Sequence, residues 1–211
     1  MKDTLKFYNK IYEPLFAKRY TKSLNRAGVA LMKFEIFMQE NNVKIKNMVD
    51  VGCAWGKTLK YWTKRGVKVA GVDVSKKIVK KCKRQGYLCY LASATDLSIF
   101  KDKEFDLYMA TDMYEHLRTK DLSFAIKEAK RITKRYLLIR PHPVLDKRGR
   151  ADKKKALHLT VWDLEKWQKF FEDNGLKCIK IGDDGETTYK NVFLMSINNN
   201  KTELRKVDKN D

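Results

Sequence analysis

The chain has 211 residues, 43% of them hydrophobic, which is enough to bury most of its apolar surface in one core and too few for a second full domain. Its 46 Lys and Arg against 26 Asp and Glu give a formal charge of +20, which admits nucleic acid, anionic lipid or a phosphorylated ligand without selecting any of them. Lysine and asparagine are spread through every segment, as a compositional bias leaves them, so nucleic acid is not favoured. Cys53, Cys82, Cys89 and Cys178 show neither CxxC pairing nor a His at zinc-finger spacing, so no metal cluster and no disulfide framework is suggested, and a cytoplasmic setting is expected. The N-terminal MKDTLKFYNKIY lacks an apolar signal core, and no run is long and apolar enough to span a membrane.

In chain order, Phe7, Tyr8, Tyr12, Phe16 and Tyr20, followed by Leu31, Phe34, Phe37 and Met38 at helical spacing, predict helices over 4–41, ended by Asn41-Asn42. Short apolar runs then alternate with helical patterns. Strands are expected at 47–52, 67–73, 87–92, 105–110, 136–140, 176–181 and 191–197, and helices at 57–65, 75–85, 120–133 and 161–174, with Gly86 and Gly175 closing two of them. This alternation belongs to a mostly parallel sheet with crossover helices. Gly182-Asp183-Asp184-Gly185-Glu186 is too short for a crossover, so the last two strands form a hairpin and the final one inserts antiparallel. The expected organisation is an N-terminal helical cap over 1–44, one domain over 45–197, and a polar tail over 198–211 that cannot offset the entropy of ordering.

The sharpest local signal is Val49-Asp50-Val51-Gly52-Cys53-Ala54-Trp55-Gly56-Lys57-Thr58, a strand that enters a small-residue turn opening a helix; a ligand can approach such a backbone closely. The next strand, Val69-Ala70-Gly71-Val72, ends in Asp73-Val74-Ser75, and a carboxylate there can accept both hydroxyls of a ribose or simply help to start a helix. Asp50, inside an apolar strand, needs a partner when buried. Trp55 either packs under the first helix or touches the ligand.

VDVGCAWGKTLKYW, GVDVSKKIVKKC and ATDLSIFKDKEFDLYMATDMYEHL, in that order, resemble successive motifs of class I S-adenosylmethionine-dependent methyltransferases of the type 11/type 12 kind, over residues 45–197. YLLIRPHP resembles that family's fifth strand, and HLTVWDLEKWQKFFEDNGL its segment before the hairpin. The resemblance implies a Rossmann-like three-layer α/β sandwich with a mostly parallel seven-stranded sheet and an antiparallel C-terminal hairpin strand, preceded by N-terminal helices. It implies S-adenosyl-L-methionine as cofactor and S-adenosyl-L-homocysteine as product. Asp50, Gly52 and Gly56 would shape the methionine-binding turn together with Cys53, Ala54 and Trp55; Asp73, followed by Val74, would hold the ribose; Asp112 would face the cofactor; and Glu115 and His116 would border the substrate. Two departures stand out. Ala54 replaces the middle glycine of G-x-G-x-G and requires ordinary backbone angles. Ser93 replaces the family's adenine-binding Asp, which leaves adenine to Ser93 or to the backbone at Ala94, beside Thr95, while Asp96 is expected to cap a short helix.

His116 and His142 are the candidate general bases, since imidazole titrates near neutral pH, and His158 stands beside them as a substrate contact. Asp112, Glu115 and His116 with a distant His142 or His158 also resemble the ExxEH metal arrangement of small-RNA 2′-O-methyltransferases, but the first Glu is Asp112 here and no metal is expected. Tyr8, Tyr12 and Tyr20, with Arg148 and Arg150 of the 142–160 loop, are expected to close over the acceptor. The basic run 76–84 keeps Ile78, Val79 and Cys82 on one side and reads as an amphipathic helix. The reading is methyl transfer to oxygen or nitrogen of a small-molecule or sugar acceptor, anionic if the basic loop contacts it, by a monomer or homodimer. The alternatives are an RNA or DNA methyltransferase using the basic surface and a non-catalytic cofactor-binding scaffold.

Overall fold

The computed structural model describes residues 25–142, 158–179 and 191–197. Helix α1 (Asn25–Glu40) precedes β1 (Asn47–Val51), α2 (Lys57–Thr63), β2 (Lys68–Asp73), α3 (Lys76–Arg84), β3 (Leu88–Leu91) and β4 (Phe105–Thr111). Two single 3-10 turns, Tyr114–His116 and Thr119–Asp121, lead into α4 (Leu122–Ile132), β5 (Thr133–Arg140), α5 (Leu164–Asp173), β6 (Lys177–Ile179) and β7 (Phe193–Ser196). The seven strands lie in the order β3-β2-β1-β4-β5-β7-β6. The first five are mutually parallel, and β7 runs antiparallel to both β5 and β6, as the short connection requires. The fold is the expected Rossmann-like sandwich.

The central strands read as continuous apolar runs because both faces of the sheet are covered. Alternate residues feed two cores: Val49, Val51, Tyr108, Ala110, Leu137 and Ile139 face α4 and α5, while Met48, Leu107, Met109, Tyr136 and Leu138 face α1, α2 and α3. Phe34 and Phe37 of α1 meet the Tyr136 ring edge-on at 6.3 and 5.5 Å between centroids, so this part of the N-terminal segment packs on the sheet. On the other face Trp167 and Phe171 of α5 flank Tyr114 at 6.5 and 6.4 Å.

Helix ends follow their caps. Ser75 accepts from Ile78 N at 3.3 Å and starts α3, and Asn41 ends α1 through its side chain, which donates to Phe37 O at 2.9 Å. Helix α5 begins three residues later than expected because Asp163, rather than a residue near 161, caps it by accepting from Lys166 N at 2.8 Å. Residues 4–24 of the expected N-terminal helices, the basic 147–155 stretch, the 182–186 turn and the 198–211 tail lie outside the described residues.

Every parallel strand ends at one edge of the sheet, and one further lock assembles that edge. Leu159 N and Thr160 N both donate to Glu115 O, at 2.8 and 3.0 Å, which ties the segment before α5 to the turn after β4. The Thr160 hydroxyl donates to Leu117 O at 2.8 Å and lies 3.2 Å from Thr119 Oγ1, with Thr160 fully buried. Thr160→Val keeps the shape but leaves Leu117 O buried without that donor. The expected cost is about 1–3 kcal/mol, read as a lower urea midpoint at unchanged slope.

Candidate functional site

The turn after β1 is built on absent side chains. Gly52 has φ +80°, and a Cβ there would lie 2.7 Å from Met113 Cγ. Gly52 N and Cys53 N both donate to Val72 O, at 2.8 and 3.0 Å, folding the turn back onto β2. Ala54 does not keep the ordinary angles expected of it: its φ is +46°, in the left-handed region that glycine adopts without penalty. What holds it there is Asp73, whose Oδ2 accepts from Ala54 N at 3.1 Å while its Oδ1 accepts from Ser75 N at 2.9 Å. The acidic residue ending β2 therefore bridges the turn and the start of α3.

Burial raises the Asp73 carboxyl to about 6, against the backbone N–H groups of Ser75 and Ala54 that favour its charged form. Asp50 lies beside it, buried, and is raised to about 7 by desolvation, with the Thr58 hydroxyl opposing and the Asp73 charge adding. Both acids belong to the same wall of the turn.

Three of the cysteines, unremarkable in their spacing, converge under this turn: the sulfurs of Cys53, Cys82 and Cys89 lie within 4.8 Å of one another, with 3.6 Å between Cys53 and Cys89. The Cys82 thiol donates to Ala54 O at 3.4 Å. Gly71 makes room for them, since a Cβ there would sit 2.9 Å from Cys53 Sγ. Trp55 packs against the same core, and Lys81 Nζ lies 4.4 Å from the centre of its ring.

After β3, Ser93 Oγ lies 2.8 Å from Thr95 Oγ1 and accepts from Thr95 N at 3.2 Å, while Ala94 is buried. Asp96 does not cap a helix as expected: it accepts from Ser98 N at 3.2 Å and closes a tight turn, and no helix follows before β4.

After β4, Asp112 has φ +50° and pairs with Arg140, the buried last residue of β5. The next turn buries Tyr114, Glu115 and His116. Neither carboxylate oxygen of Glu115 meets a donor at hydrogen-bonding geometry. Burial first, then the Asp112 charge, pushes its carboxyl up to about 8, with His158 opposing. The rings of His116 and His158 are 5.1 Å apart, and those of His158 and His142 also 5.1 Å. The structure thus brings together Glu115, His116, His142 and His158, which the sequence already set side by side as candidate bases and as an ExxEH-like group. Tyr8, Tyr12, Tyr20, Arg148 and Arg150 lie outside the described residues. Arg140 and Met113 went unrecognised in the sequence; Arg140 carries a weak signal as a cation ending an apolar strand, and Met113 carries none.

A mostly parallel sheet with only β7 reversed, a glycine turn at the end of β1 and an acid at the end of β2 stand together with a match of residues 49–137 to the family model described as a methyltransferase domain. Residues 49–137 are thus similar to a methyltransferase domain. No curated protein sequence matches it significantly. Among solved structures, magnesium protoporphyrin IX methyltransferase from Synechocystis PCC 6803 with bound SAM is 15% identical, with 92% of this chain and 94% of that one covered and a TM-score of 0.61. The 1,6-didemethyltoxoflavin-N1-methyltransferase of Burkholderia thailandensis, with bound 1,6-didemethyltoxoflavin and S-adenosylhomocysteine, is 10% identical over 92% and 89% at a TM-score of 0.67. A SAM-dependent methyltransferase from Archaeoglobus fulgidus is 17% identical over 88% and 99% at 0.62. At these identities the chain shares their fold.

Two outcomes follow from the turn after β1. Ala54→Gly removes a left-handed non-glycine residue whose cost is about 1–2 kcal/mol, less the extra freedom of glycine in the unfolded chain, so the ligand-free protein should gain up to about 1 kcal/mol in denaturant unfolding. Asp50 and Asp73 have folded values of about 7 and about 6 against 3.8 unfolded, so the native state holds the extra protons. Their stabilisation is complete below 3.8 and is lost as pH rises to about 7, so the ligand-free melting temperature should fall from pH 5 to pH 8, and Asp50→Asn should flatten that slope.

Proposed function

We propose that the chain transfers the methyl group of S-adenosylmethionine to an oxygen or nitrogen of a small-molecule or sugar acceptor. The observation that supports this best is the clamped turn itself. Asp73 holds the turn with two backbone N–H bonds, and a carboxylate has about four acceptor positions, so it retains capacity for the two hydroxyls of a ribose. Gly52 leaves the backbone bare where a side chain would collide with Met113, as close approach of a cofactor requires. Asp50 lies on the same wall, where a carboxylate suits the amino group of the methionine moiety. Adenine would lie against the backbone at Ala94, since the Ser93 hydroxyl is already engaged by Thr95.

Bound there, S-adenosylmethionine supplies a methyl group already activated as a sulfonium substituent. The chain's own task is then orientation, which removes on the order of 7–11 kcal/mol when the geometry is right. The acceptor would sit at the edge formed by His116, His142 and His158, beyond the ends of β4 and β5. His116 or His142 can take the proton from a hydroxyl or amine nucleophile. Two solved neighbours are named for magnesium protoporphyrin IX and for 1,6-didemethyltoxoflavin, both small molecules, which supports the small-molecule reading.

The decisive measurement is the melting temperature with and without saturating S-adenosylhomocysteine. Ligand at about a hundred times its dissociation constant adds roughly 2.7 kcal/mol, or about 5–11 °C for a chain of this size. Asp73→Ala should abolish the increment, whatever its own melting temperature. No increment in the unsubstituted protein, with calorimetry also showing no binding, overturns the reading.

A further inference from the structure

We propose that Glu115, His116 and His158 form a binding site for a divalent first-row transition-metal ion on the acceptor side of the domain. One ligand atom from each lies within 4.8 Å of the other two. Zinc-sized ions hold nitrogen and oxygen ligands at about 2.0–2.2 Å, so two ligands of one ion are at most about 4 Å apart, and side-chain shifts of under about 1 Å close this set around one.

The second observation is independent of that spacing. Glu115 has no exposed surface, and both its oxygens lack a hydrogen-bond partner. Burying a carboxylate is costly, and a cation shared with the two imidazoles within 4.8 Å offsets that cost. Among the neighbouring charges Asp112 adds repulsion, His158 opposes it, and the Arg140 guanidinium pairs with Asp112 through one of its nitrogens. Asp112 is for the same reason not a ligand, which distinguishes this set from one that would use both acids of the DMYEH segment.

The ligands stand on two segments already tied together, since Leu159 N and Thr160 N donate to the backbone oxygen of Glu115 itself. The site is therefore preorganised rather than assembled by the ion. Two imidazoles and one carboxylate suit Zn²⁺, Mn²⁺, Fe²⁺ or Co²⁺ better than the all-oxygen preferences of Ca²⁺ and Mg²⁺. Three protein ligands leave coordination positions open. If those positions take the acceptor, a role that rests on the methyl-transfer reading above, the ion binds its oxygen and lowers the pKa of the hydroxyl. The acceptor class is then an alcohol or phenol. His116 is occupied as a ligand, and His142, 5.1 Å from the His158 ring and outside the converging three, is left to receive the proton.

The test uses the full chain, stripped with a chelator, dialysed and titrated with Co²⁺, followed by visible absorption and by competition with Zn²⁺. One Co²⁺ per chain is expected, with a ligand-field band and displacement by Zn²⁺. Glu115→Gln and His158→Gln should each weaken binding by at least about 100-fold, beyond the about 10- to 100-fold that losing an outer partner of a ligand costs. Circular dichroism and the S-adenosylhomocysteine increment serve as the folding controls for both variants. Absence of stoichiometric Co²⁺ or Zn²⁺ binding by a chain that still responds to S-adenosylhomocysteine overturns the metal site and leaves the cofactor reading intact. Co²⁺ binding without any response to S-adenosylhomocysteine does the reverse. Binding that survives both substitutions and shows an intense near-ultraviolet thiolate band assigns the ion to Cys53, Cys82 and Cys89 and overturns the proposal.

Discussion

One carboxylate organises the turn edge of this sheet. Asp73 stands at the end of β2, yet its two oxygens reach both neighbours in space: the turn after β1, through Ala54 N, and the start of α3, through Ser75 N. Without it the left-handed Ala54 has no compensation, the Val72 carbonyl holds Gly52 and Cys53 alone, and α3 loses the order of its first turn. The interaction is worth more than an exposed bond of the same length because it is formed out of water. The same burial makes the charged carboxylate expensive, so the residue that stabilises the turn is also one that resists ionisation.

The two halves of the site are constructed differently. The half around Asp73 comes from short contiguous stretches, 50–56 and 73–75, at adjacent strand ends, so its geometry is a property of strand order. The half around Glu115 joins the turn after β4 to a segment more than forty residues later, held by the carbonyl of Glu115 and the hydroxyl of Thr160. A local change in the first half stays local. A change in the second moves residues from two crossovers at once.

This difference explains what could be read beforehand. The seven strands and the reversed last strand are legible because period-two burial and turn chemistry are local properties. The end of β5 at Arg140 was placed correctly, but its pairing with Asp112 was not, because ion pairs across strands leave no periodic trace. Ala54 was misjudged: residue identity argues for ordinary angles, and the Asp73 carboxylate that holds it left-handed stands on the next strand. Cys53, Cys82 and Cys89 come from a turn, a helix and a strand, so their spacing said nothing about their meeting. The start of α5 was missed because Val161 and Trp162 extend its apolar pattern upstream of the cap at Asp163.

The insertion of β7 between β5 and β6 also governs the order in which the chain can be completed during synthesis. Strand β6 touches the sheet only through β7, although it leaves the ribosome first. Until Phe193 to Ser196 emerge, β5 presents an open flank of unpaired N–H and C=O groups beside a finished parallel half-sheet. Such an edge is a template for any other extended chain. The nascent protein therefore passes through an interval in which its most buried surface is also its most adhesive, and that interval lasts as long as translation takes to cover the stretch from β5 to β7.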